Sequence, residues 1–152
     1  MFKKRKIERY AQVLREQVVA NPRINGCSIA IGKGKGGAYV RTTKLNRTML
    51  EDLGEGGSFY IEYTLDGVLT ADLNFACVKD CEKYEILREF FDDLDEEDDT
   101  FDDLELFTDE EKGLTAISAT SRVKPDELAL VSGSFVSRML DWLDIIYEMT
   151  EQ

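Results

Sequence analysis

Residues 58–78 read SFYIEYTLDGVLTADLNFACV, and this stretch constrains the fold more than any other. Phe59, Ile61, Tyr63 and Leu65 alternate with polar residues, and so do Leu69, Ala71, Leu73, Phe75 and Cys77. A period of two puts each set on one face of a strand. Asp66-Gly67 stands between them, a pair suited to the positive backbone angles of a tight hairpin turn. Two half-buried antiparallel strands are therefore expected, and something must cover their apolar face.

The flanking segments supply the cover. Ile7, Tyr10, Ala11, Leu14 and Val18 recur at helical spacing and predict a helix over 3–20, stopped by Asn21-Pro22. Tyr84, Leu87, Phe90, Phe91 and Leu94 predict a second helix, with Asp80 at its N-cap. Leu128, Val131, Phe135, Met139, Trp142, Ile146 and Met149 predict a third, entered through Pro125 with Asp126 and Glu127 at its positive end. Gly133 costs about 1 kcal/mol inside that helix and marks where it would break. Cys27–Ile31 and Ala38–Thr42 predict a hairpin around Gly32–Gly37, and Leu104–Thr108 and Leu114–Val123 predict another, turned at Asp109–Gly113. Residues 44–54 suggest a short helix closed by Gly54. The expectation is one α+β domain over 1–152. An antiparallel sheet of five to six strands carries N-terminal, central and C-terminal helices on one face. Its eight Phe, six Tyr and one Trp supply the apolar surface that disordered chains lack.

Charge is unevenly spread. Residues 1–50 carry twelve Lys/Arg against two Glu, whereas residues 51–152 carry seven against 29 acids. The simplest account is that the halves fold against each other and partly neutralise. Residues 92–111 hold 13 acids and no base. From Asp93 they approach a calcium loop but place Asp98 where the sharp turn needs glycine, so a solvated acidic loop at about 92–103 is expected. The alternative is a surface competing for a basic partner; in either case Phe101, Leu104, Leu106 and Phe107 would supply apolar anchors.

Catalytic chemistry finds little to work with. The absence of histidine removes the usual general base and every Ser-His or Cys-His pairing. Cys77 and Cys81 stand in CVKDC, which is not a redox C-x-x-C, and Cys77 is expected in the core. GKGKGG lacks the order of a phosphate loop and is better explained as a turn. Asp72 faces away from the apolar side of its strand and is expected to be solvated. The sequence thus predicts no enzyme, metal or cofactor. Three cysteines, a basic start without a following apolar run, and no long apolar stretch point to a cytoplasmic chain with no membrane span. Nucleic acid is disfavoured by the net charge of −12.

The order helix, β-meander, helix, hairpin, helix resembles the type III secretion chaperone-like fold. More narrowly, it resembles the YbjN-type bacterial sensory transduction regulators. The resemblance is carried by SFYIEYTLDGVLTADLNFACVKDCEKYEILREFFDDLD, LELFTDEEKGLTAISATSRV and SFVSRMLDWLDIIYEM. It implies a dimerising, protein-binding domain without enzymatic activity. The sequence-based expectation is a non-enzymatic, chaperone-like regulatory module, with an acidic nucleic-acid mimic as the alternative. Its partner would be a protein or a second copy of itself. The residues expected to touch it are Lys33 and Lys35 in the glycine-rich turn, and Asp92, Asp93, Asp95, Asp98, Asp99 and Phe101 in the acidic stretch.

Overall fold

In the computed structural model, residues 2–24, 28–33, 37–43, 58–77, 82–94 and 99–150 are described. Six strands form one antiparallel sheet: β1 (Ser28–Lys33), β2 (Gly37–Thr43), β3 (Ser58–Thr64), β4 (Val68–Phe75), β5 (Asp103–Asp109) and β6 (Leu114–Arg122). Their spatial order is β1-β2-β3-β4-β6-β5. Among the described residues three α-helices accompany them: α1 (Phe2–Val19), α2 (Glu82–Asp92) and α3 (Leu128–Thr150). This is the expected α+β architecture. The suggested helix at 44–54 and the Asp80 cap lie outside the described residues.

Alternation decides which face is covered. On β3, Phe59, Ile61 and Tyr63 are fully buried, and on β4 so are Leu69, Ala71, Leu73 and Phe75. Register carries the same face outward to Ala38 and Val40 on β2 and to Ile117 and Ala119 on β6. α1 lies over β1 and β2 and presents Tyr10, Ala11, Leu14 and Val18 to the core. α3 lies beside α1 and over β4, burying Phe135, Met139, Leu140, Trp142, Leu143 and Ile146. α2 adds Leu87 and Phe90, whose ring lies edge-on to Trp142 at 6.0 Å.

The β3–β4 hairpin forms as expected, although its loop has three residues rather than two. The Gly67 amide donates to the Thr64 carbonyl at 3.0 Å, and Gly67 itself takes φ +84°. A turn followed by a left-handed residue joins the strands with the twist they need. Two bonds then tie this hairpin to the end of β6. The Val123 amide donates to the Gly67 carbonyl at 2.9 Å, and the buried Tyr63 hydroxyl donates to the Val123 carbonyl at 2.6 Å.

Gly133 does not break the last helix. α3 runs unbroken from Leu128 to Thr150, preceded by a 3-10 turn at Pro125–Glu127. Packing of its apolar stripe outweighs one glycine's propensity cost. On either side of it, Ser132 and Ser134 donate back to the Ala129 and Leu130 carbonyls.

The two oppositely charged halves meet through Arg23. Its guanidinium lies 3.0 Å from Asp141, and its Nε donates to Asp144 Oδ2 at 2.8 Å. This pairs the turn after α1 with the second half of α3.

Candidate functional site on the open face of the sheet

Among the described residues no helix covers the second face of the sheet. Register sets its side chains in rows across the strands. One row runs Ala30, Arg41, Tyr60, Asp72, Ser118, Glu105, and the next runs Ser58, Asn74, Ala116, Phe107. Between and around these rows lies a recess of about 480 Å³, lined by Arg41, Ser58, Tyr60, Asp72, Asn74, Phe107, Asp109, Lys112 and Leu114. Ala116 stands in the same row between Asn74 and Phe107 and is fully buried.

One wall is aromatic and cationic. Tyr39 and Tyr60 stack at 5.5 Å with 27° between their planes, and the Arg41 guanidinium lies 5.6 Å from the Tyr60 ring centre. An Arg over an aromatic face is attracted by the ring quadrupole. Burial pushes the Tyr60 hydroxyl up to about 12, Glu62 adds to the shift, and Arg41 opposes it. The hydroxyl therefore keeps its proton near neutral pH. The opposite wall is Phe107, 42% exposed on β5. Asn74 Nδ2 donates to Ser58 Oγ at 3.3 Å at one end of the recess. The β5–β6 turn closes that side, where the Lys112 amide donates to Asp109 Oδ1 at 3.1 Å and Gly113 takes φ +67°.

Asp72 is not the solvated residue expected from its strand position. It is half-buried between β3 and β6, and burial raises its carboxyl above the ordinary range, opposed by a hydrogen bond from Ser118. Flanking strands on both sides remove water that an edge position would keep.

The residues expected from sequence fall elsewhere. Lys33 ends β1, while Lys35, Asp95 and Asp98 lie outside the described residues. Asp92 ends α2 and lies 4.0 Å from Arg88; Asp93 and Asp99 are exposed beyond it. Phe101 is no surface anchor: it is 7% exposed and packs against Phe135 at 4.7 Å and Trp142 at 5.3 Å. Its ring holds the end of the acidic run against the core. Leu104 and Leu106 turn toward the covered face and are half-buried, which leaves Phe107 as the anchor that reaches the open one.

Among the described residues, no group of three or more Cys, Asp or Glu is placed to hold a metal ion. Likewise, no described helix is long and apolar enough to cross a membrane. Comparison of the chain with protein-family models, curated proteins and solved structures returns no match.

Proposed function

We propose that the chain is a non-enzymatic, cytoplasmic protein-binding module, chaperone-like in its use of a sheet surface, whose working face is the open side of the sheet. One observation carries the reading. Helices bury one face, while the other presents a recess with an aromatic and cationic wall, a second exposed aromatic and a half-buried carboxylate. Aromatic and arginine side chains are the groups most often used to anchor partners. The resemblance to the YbjN-type regulators and to the type III secretion chaperone-like fold belongs to the same proposal.

A homodimer fits the same reading through a different surface. β1 ends the sheet with Ile29-Ala30-Ile31 along its outer edge, and Ile31 is 45% exposed. β5 ends the other side with Asp103, Glu105 and Asp109, which oppose pairing of two copies there. The acidic-mimic alternative rests on the acidic run over residues 92–111, which continues onto β5 through Asp103, Glu105 and Asp109.

The decisive experiment places a photo-crosslinking phenylalanine analogue at Tyr60 and, separately, at Leu130, which is 77% exposed on α3. A defined partner adduct from position 60 and none from position 130 is the expected outcome. Equal labelling from both positions would count against the open face. Adducts only from a probe at Asp103 would favour the acidic mimic.

A further inference from the structure

The open-face recess contains a carboxylate that no described lysine or arginine neutralises. Asp72 receives a hydrogen bond from Ser118, but among the described residues no lysine or arginine pairs with it. The nearest cation in its row, Arg41, stands one strand beyond Tyr60 and is engaged over that ring. A partly desolvated carboxylate is costly unless paired, and a cation brought from outside offsets the cost.

The surroundings favour a cation on an aliphatic stem. Tyr60 on one side and Phe107 on the other offer apolar contact; at the rim Asp109 shares the lining with Lys112, whose amide donates to its Oδ1, so the charge argument rests on Asp72. The lining runs from β2 across to β5, about 19 Å at ordinary strand spacing. That width suits a segment of another protein better than a small enclosed ligand. Nucleic acid is opposed by the chain's net charge of −12.

Resting on the reading of the open face as the working surface, we propose that the recess takes the side-chain ammonium of a lysine presented by a basic segment of a partner protein, with Asp72 as its counter-ion and the stem lying between Tyr60 and Phe107. Aromatic walls give contact area, and the carboxylate gives charge selectivity.

The test uses the full chain and a fluorescent short peptide of alternating leucine and lysine, beside a matched peptide with glutamine for lysine. Fluorescence anisotropy measures affinity, and amide chemical shifts locate the contact. The lysine peptide should bind at the recess and the glutamine peptide should bind much more weakly. Asp72→Asn should weaken the lysine peptide about tenfold with the melting temperature not lowered. Asp103→Asn, which removes the same charge on β5, should change affinity less than about twofold. Equal effects of the two substitutions, an unchanged affinity in Asp72→Asn, or no binding at millimolar peptide would each overturn the proposal. Displacement by spermidine as readily as by the peptide would overturn the assignment to a protein side chain. If Tyr60→Ala and Phe107→Ala abolish binding of both peptides while Asp72→Asn does nothing, the lysine inference fails and the open face stands. If none of the three matters, both fail.

Discussion

Replacing Gly133 with alanine tests whether tertiary packing or helix propensity governs α3. A glycine in a helix interior is about 1 kcal/mol worse than alanine, so Gly133→Ala has that much to gain. Against it stands one obstacle. A Cβ at Gly133 would lie 2.7 Å from Gln17 Oε1 and 3.6 Å from Gln17 Cδ, with no other contact within 4 Å outside the helix's own backbone. The obstructing atom is the far end of a half-buried, flexible side chain on α1. Turning Gln17 aside costs about 0.5–1 kcal/mol if it leaves its preferred rotamer, and less if it finds another. The net expectation is between no change and a gain of about 0.5 kcal/mol. In a Gln17→Ala background the obstacle is gone, and the same substitution should return close to the full ~1 kcal/mol.

Chemical denaturation of the four proteins of this cycle gives the two free energies and their difference. A gain of ~1 kcal/mol corresponds to a rise in melting temperature of about 2–4 °C in a domain of this size. The coupling should be positive and smaller than the propensity term. If Gly133→Ala destabilises the chain by more than ~1 kcal/mol in both backgrounds, the reasoning is refuted. Glycine would then be required by a close approach of helix backbones rather than tolerated beside a side chain.

Other substitutions separate backbone from side-chain constraints. Gly37→Ala should cost about 1–3 kcal/mol, because its Cβ would meet the Tyr63 carbonyl at 2.1 Å and Thr64 Cα at 2.7 Å, both backbone atoms of the paired strand; wild-type stability in urea would refute this. Tyr63→Phe should cost about 1–2 kcal/mol by removing the buried bond to the Val123 carbonyl, and an unchanged denaturation midpoint would show that the tie between the hairpin and β6 contributes nothing. Asp72 binds protons more readily folded than unfolded, so its contribution to stability is present below the ordinary aspartate range and is lost as pH rises through the raised folded value. Asp72→Asn should therefore be at least as stable as wild type at neutral pH, with the advantage vanishing in acid; a variant less stable at neutral pH would refute the sign.

What sequence makes legible here is what depends on neighbours a few residues apart. The alternation in 58–75 places seven inward residues correctly, and all seven are fully buried. Leu65 departs from the pattern because the loop begins at that residue, leaving it 36% exposed. A three-residue loop and the two-residue loop suggested by Asp-Gly differ by one position, and periodicity cannot distinguish them. Gly133 fails as a helix stop for the opposite reason. Its cost is local, but the apolar stripe that overrides it acts through α1 and the sheet.

The open face escapes the sequence because it has no local signature. Charge density draws attention to residues 92–111 and to GKGKGG, where like residues are adjacent in the chain. Arg41, Tyr60, Asp72 and Phe107 are far apart in sequence and meet only through the registers of β2 with β3, β3 with β4, β4 with β6 and β6 with β5. The available clue is the outward half of each alternating strand. Polar positions opposite an apolar face are usually solvated, so Asp72 looks ordinary. What makes it unusual is its place in the row: β4 is interior to the sheet, with Tyr60 on one side and Ser118 on the other. An aspartate on an edge strand would keep its water and need no counter-ion. The same residue between two paired strands loses part of its hydration, and the strength of its pull on an incoming cation follows from strand order rather than from residue type.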